Sequence, residues 1–265
     1  MLADGWPVSS PEQQGLNPDL ICAIGARLGG WKEAGANGVV VVRHGAIVYE
    51  AYFAGADQRW PQEHWGESPP ILPHDAETKH DLQSATKSVV ALLAGAALDR
   101  GLIKSVDAPL LSFFPEYPDL AATERQRITL RDALTMTAGL NWPTRPYLDM
   151  ARKTDAAADP DRFVLEQPVT APPGSRWRYN NGTAELVGGA VRNAVGRPLD
   201  QFAKETLFDP LGITDWEWGR MANGDPGASW DCGCGRVIWP RSGSSSSIMA
   251  PGKDDRSSPP TGSAR

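Results

Sequence analysis

The stretch from His80 to Ile103, H-D-L-Q-S-A-T-K-S-V-V-A-L-L-A-G-A-A-L-D-R-G-L-I, decides the fold. Polar residues give way to apolar ones at Ser84, and Gly101 stands where a helix takes its C-terminal cap. Between them the pattern predicts a helix apolar nearly all round, and hence buried. Ser84 and Lys87 are three apart, so on a helix they share a face one turn apart, the serine at the end where free backbone N–H groups point outward.

Working outward, the chain before this stretch reads as a helix and then a hairpin. Asn17 can cap and Pro18 suits the first helical position, with Leu20, Ile21, Ile24 and Leu28 as the apolar face. The runs Val39 to Val42 and Ile47 to Phe53, joined by Arg43-His44-Gly45-Ala46, predict two strands. Trp60 to Asp75 is a Pro-rich acidic loop. After the central block, helical stretches are expected at Thr129 to Thr137 and Thr183 to Val195, separated by loops around Trp142 to Tyr147 and Ala171 to Gly174. No internal repeat is visible.

With 265 residues, 41% hydrophobic and 22% charged, the chain can bury one substantial core, and one domain with a helical insertion is expected. A net charge of −6, with no Lys/Arg block, excludes nucleic acid and anionic membrane surfaces as main partners. No apolar run approaches the roughly 20 residues that span a bilayer. Met1 leads to Ala3, Asp4 and Gly5 rather than a basic and then apolar signal, so a cytoplasmic location is expected, or a periplasmic one if the true start lies upstream. Three cysteines make no disulfide framework.

Ser84 and Lys87 offer a nucleophile and its base. An amine held against an apolar helix is desolvated, which favours the neutral form able to take a hydroxyl proton. The bland alternative is a helix-capping serine beside a lysine that reaches for solvent. Tyr179-Asn180-Asn181 follows the turn Pro172-Pro173-Gly174 and precedes a helix, a loop that a fold can aim at Ser84. A phenol near that lysine can carry a proton, and the Asn181 amide can orient a carbonyl; a buried tyrosine with an asparagine cap is the plainer reading. Rival signatures are missing: no Gly-x-Ser-x-Gly elbow, no phosphate-binding Gly-x-x-x-x-Gly-Lys, no His-Glu-x-x-His. His74 with His80, and Cys232 with Cys234, form no convincing metal set.

Both motifs fall in order within a larger frame. The phrases S-A-T-K-S-V, G-L-I-K-S-V-D-A-P-L, I-T-L-R-D-A-L-T-M-T-A-G-L, A-P-P-G-S-R-W-R-Y-N-N and L-F-D-P-L-G-I-T-D-W-E-W, spread over roughly Gly15 to Trp230, resemble blocks of the serine hydrolases related to class C β-lactamases. That group takes in penicillin-binding proteins, carboxylesterases of the same fold and 6-aminohexanoate-dimer hydrolases. The resemblance implies an α/β (α+β) fold of the serine β-lactamase/DD-peptidase type, with an antiparallel sheet flanked by helices and a helical region holding Ser84 and Tyr179. It implies Ser84 as acylated nucleophile, Lys87 and Tyr179 as the proton-transfer pair with either as the base, and Asn181 as a ligand of substrate and lysine. The implied substrate is a small amide or ester, with no cofactor and no metal. The family's third box, Lys/His-x-Gly on a late strand, has no match: all four histidines lie at or before His80, and neither Lys204 nor Lys253 has glycine two residues on.

From Asp231 the texture changes. Of the last 35 residues 17 are Ser, Gly or Pro, without helical or strand period. We read 1–230 as an incomplete serine hydrolase domain and 231–265 as an out-of-frame, disordered tail lacking the late strands. Joining the third base of each codon to the first two of the next forces Leu from Asp231/Cys232, Ala from Trp239/Pro240 and Gly from Met249/Ala250. The permitted choices include an amphipathic helix, a turn and a strand start. The rival expectation is an inactive remnant or a binding module that keeps the pocket.

Overall fold

The Asn17 side chain accepts hydrogen bonds from the N–H groups of Asp19 and Leu20, and with Pro18 at the first position it opens helix α1 (Pro18–Gly30). Ile21, Ile24 and Leu28 are half-buried, but Leu20 is exposed, so the apolar face runs through three of the four expected residues. The computed structural model describes residues 6–56, 70–121, 123–143, 149–230 and 232–234. Most of the Trp60 to Asp75 loop and most of the 231–265 tail lie outside these.

Strands β1 (Gly38–Arg43) and β2 (Ala46–Tyr52) pair antiparallel, with a bulge at Val41/Val42. His44 and Gly45 form the two-residue loop with φ of 49° and 77°, the left-handed pair that matches hairpin twist. Short strands β3 (Gly55–Ala56) and β4 (Ile71–Leu72) form a second pair. A third antiparallel sheet runs β5–β7–β6, from β5 (His80–Asp81), β6 (Trp216–Trp218) and β7 (Cys232–Cys234). Residues 232–234 therefore form a strand where the sequence shows no strand period: β7 lies between two others, and backbone hydrogen bonds fix it whatever side chains it carries.

The helical part holds α2 (Thr86–Asp99), α3 (Leu130–Leu134), α4 (Asp149–Asp155), α5 (Pro160–Leu165), α6 (Asn181–Val195) and α7 (Leu199–Ala203). Thr129 and Asp132 form a capping box at the head of α3, and Met136 at φ 57° ends the turn beyond it, which is why the helix is shorter than Thr129 to Thr137. Helix α6 starts at Asn181, capped by the Asn180 side chain, and stops at Gly196 with φ 69°.

Helices α2 and α6 pack together, and their buried residues Val90, Leu93, Ala97, Leu186 and Val191 join Ile103, Leu110, Leu130, Val164 and Phe202 in one core. The expectation of all-round burial for α2 needs correction. Thr86, Val89, Val90, Leu93, Ala94 and Ala97 are inside, whereas Ser88, Ala91, Leu92 and Gly95 are exposed. Three of those four are small residues, which count as apolar or neutral in a pattern but gain little from burial.

Leu93 is fully buried and Leu92 is 40% exposed. Leu93→Ala is expected to lower unfolding free energy by about 2–5 kcal/mol, and Leu92→Ala by less than about 1. Urea denaturation followed by circular dichroism tests this; equal losses at both positions would place α2 outside the core.

Candidate active site

Three segments from distant parts of the chain meet at the head of α2. Strand β5 ends in a turn in which the Asp81 carboxylate accepts the Gln83 N–H at 2.8 Å and the Cys232 carbonyl accepts the Leu82 N–H at 2.9 Å. Gln83 adopts φ 48°, an uncommon conformation for a residue with a side chain. That bend places Ser84 in a single 3₁₀ turn, Gln83–Ala85, immediately ahead of α2. The Ser84 hydroxyl caps neither element; it turns outward, exposed.

The Ser84 Oγ lies 2.5 Å from the Tyr179 Oη, and Lys87 Nζ donates to the same Oγ at 3.1 Å. Lys87 Nζ also donates to the Ser229 carbonyl oxygen at 2.5 Å and sits 5.1 Å from the Tyr179 ring centre. Tyr179 arrives on a loop stitched to the segment after α3: the Thr137 carbonyl accepts the Gly174 N–H at 2.9 Å and the Met136 carbonyl accepts the Arg178 N–H at 3.0 Å. Gly139, at φ +75°, lets this loop close, because a Cβ there would fall 2.0 Å from the Ala171 oxygen.

The structure thus brings together Ser84, Lys87 and Tyr179. Asn181, the fourth expected residue, is the first residue of α6 and is 5% exposed. Its Oδ1 is buried and accepts no hydrogen bond among the described residues. His74 and His80 stack with ring centres 5.0 Å apart, and His74 Nδ1 bonds the Phe53 carbonyl. Among the described residues no three His, Cys, Asp or Glu side chains converge on one point, and no helix is long and apolar enough to cross a membrane.

Behind the lysine is a group of buried acids that pattern reading missed. Glu185 of α6 accepts the N–H of Ala228 at 2.6 Å and of Ser229 at 2.8 Å. Burial pushes its carboxyl up, opposed by hydrogen bonds from Ser229 and Ala228 and by the charge of Lys87. Burial likewise pushes Asp155 up to about 7, the Glu185 charge adding to it and a hydrogen bond with Trp230 opposing. One signal was available: Glu185 is the single acid in the otherwise small and apolar run from Gly182 to Val191.

A nucleophile-sized hydroxyl at the head of a buried helix, a lysine one turn on and a phenol from a second loop, set between small antiparallel sheets and a helical region, define an α/β protein of the serine β-lactamase/DD-peptidase type. A family model described as Beta-lactamase matches residues 27–233, and the chain belongs to that family. It is 31% identical over 162 residues to the monacolin J acid methylbutanoyltransferase of Aspergillus terreus, covering 55% of this chain and 39% of that protein. It is 28% identical over 188 residues to esterase EstB of Burkholderia gladioli, covering 66% and 45%. Among solved structures it is similar to EstCE1, a hydrolase with promiscuous acyltransferase activity, with a TM-score of 0.62 and 18% identity, covering 89% of this chain and 71% of that one. The chain thus spans less than half the length of the two curated relatives.

The raised Asp155 carboxyl has a consequence for stability. An unfolded aspartate titrates near 3.8, so in the folded chain Asp155 holds its proton up to about pH 7. The cost of burying its charge is absent at acid pH, grows as pH rises through this window, and is complete above it. Asp155→Asn should therefore gain in Tm relative to the parent as pH is raised from 5 to 8; a Tm difference that stays constant with pH defeats this.

Proposed function

We propose that this protein is a serine hydrolase that cleaves a small ester or amide through an acyl-enzyme. The observation that carries the reading is the placement of one hydroxyl, Ser84 Oγ, within hydrogen-bond distance of both Lys87 Nζ and Tyr179 Oη. In the first half-reaction Ser84 Oγ bonds the carbonyl carbon, its proton passes to Lys87 or Tyr179, and the C–O or C–N bond to the leaving group breaks as that group takes a proton from the same pair. In the second, water gives up a proton to the pair as its oxygen bonds the acyl carbon, and the C–O bond to Ser84 breaks as Oγ takes that proton back, leaving a free acid and the serine hydroxyl restored. Asn181 opens α6 two residues after Tyr179, and that position in the Tyr-x-Asn motif supports a role for it beside the substrate. The esterase and acyl-transfer names of relatives support ester or amide chemistry over a non-catalytic binding role.

Ser84→Ala is expected to abolish fluorophosphonate labelling, and label persisting in that variant, or moving to Ser88, sinks the assignment. In the frame-corrected protein Tyr179→Phe should lower kcat by about 10²–10⁴, the usual worth of a positioned acid or base, with a much smaller change in KM. A Phe variant within twofold of the parent reduces Tyr179 to packing.

We further propose that residues from 231 onward are read in a shifted frame and that late strands bearing the Lys/His-x-Gly box belong after it. The exposed row Ser88, Ala91, Leu92 and Gly95 on α2 supports this. Sequencing the gene across codons 225 to 235 tests it. The 265-residue chain is expected to show no turnover, and restoring the frame should bring it. A stop codon before any Lys/His-x-Gly, or robust Ser84-dependent hydrolysis by the 265-residue chain, defeats it.

A further inference from the structure

Glu185 of α6 is 4% exposed and lies within reach of the Lys87 charge, and an isolated carboxylate there would be costly. It is instead held by the Ala228 and Ser229 N–H groups, one on each oxygen, with the Ser229 side chain as a further donor. Close approach makes this possible. Gly188, three residues on from Glu185, has no side chain, and a Cβ there would lie 2.4 Å from the Ala228 Cβ. The pinned backbone presents the Ser229 carbonyl to Lys87 Nζ at 2.5 Å, with Ser229 itself 2% exposed and the lysine half-buried.

We propose that Glu185 is a positioning residue for Lys87: through the Ala228–Ser229 backbone it fixes the carbonyl that holds the ε-amine one hydrogen bond from Ser84, and its buried charge stabilises the ammonium. This rests on the reading of Ser84 and Lys87 as nucleophile and proton partner. Lys87 meets Tyr179 from the loop ahead of α6 and Glu185 from α6 itself. Behind Glu185 stand Asp155 of α4 and Asp161 of α5, the latter paired with Arg192. Asp81 precedes the Ser84 turn, and at the far end of α2 Arg100 pairs with Glu205. The Glu185 charge interacts with Lys87, and its hydrogen bonds fix that lysine's acceptor.

Two variants separate charge from geometry. Glu185→Gln keeps the length and removes the charge; Glu185→Asp keeps the charge but is too short to reach both N–H groups. The full chain, labelled with ¹³C at lysine Cε, is titrated by NMR, the Lys87 signal being identified by its loss in Lys87→Met. An Asp155→Asn background keeps that acid out of the curve. Losing an opposite charge disfavours the ammonium, so the Lys87 midpoint should fall by about one pH unit in Glu185→Gln and stay near the parent's in Glu185→Asp. Ser84 phosphonylation by a fluorophosphonate, measured above the midpoint, should slow about tenfold in both, as expected when a proton acceptor is displaced. Parent-like midpoint and rate in Glu185→Gln overturn the proposal. If that variant does not fold, an unchanged rate in Glu185→Asp overturns it and a slowed one upholds it. A lowered Lys87 midpoint in a chain whose Ser84 takes no phosphonate upholds the link between Glu185 and Lys87 and removes the nucleophile reading instead.

Discussion

A lysine amine at the edge of a protein core has to be held by something other than water, and the site is built around that constraint. Lys87 Nζ is gripped by the Ser229 carbonyl on the inner side and the Ser84 hydroxyl on the outer. An ammonium in such a place is tolerated only where acceptors and an opposite charge compensate its lost hydration. Helix α2 supplies the lysine, the segment after β6 the carbonyl, and α6 the carboxylate. The packing of α2 on α6 is thus at once the centre of the core and the frame of the site.

Helix α6 shows what that frame demands. Glycine in a helix interior is less favourable than alanine by about 0.8–1.0 kcal/mol, yet α6 carries Gly182, Gly188 and Gly189. A Cβ at these positions would fall 2.4 Å from Trp142, 2.4 Å from Ala228 and 2.5 Å from Asp161. The helix gives up intrinsic propensity so that an indole, a backbone segment and a carboxylate can approach its axis. The last of these is the buried Asp161, whose ion pair with Arg192 at 2.6 Å closes the far side of the same acid cluster.

Local chemistry was legible in the sequence and long-range closure was not. Asn17 with Pro18, the His44-Gly45 turn and the Gly101 cap act within a few residues, and each appears where the pattern puts it. Ser84 and Lys87 could be read because helical spacing makes them neighbours, and Tyr179 because its motif stands out in a Pro/Gly loop. The Ser229 partner is a backbone carbonyl, a group every residue carries, so no pattern points to it. The face of α2 that stays exposed was misjudged because alanine and glycine look apolar in a periodicity count while demanding little cover. The strand at Cys232–Cys234 leaves no pattern in the sequence because a strand lying between two others is specified by its neighbours' hydrogen bonds.

The pairing of β5 with β7 sets a timetable. His80 faces Cys234, and the Lys87–Ser229 bond spans 142 residues of chain. At about 5–20 residues per second, a ribosome that has finished the helix bearing Lys87 needs roughly seven to thirty seconds to make the segment that steadies that lysine. Throughout that interval the serine and lysine exist on a nascent chain without the carbonyl that orients them. Closing so long a loop carries an entropic cost that grows only slowly with its length. A half-made chain carries Ser84 and Lys87 without the carbonyl that holds the lysine in the finished fold.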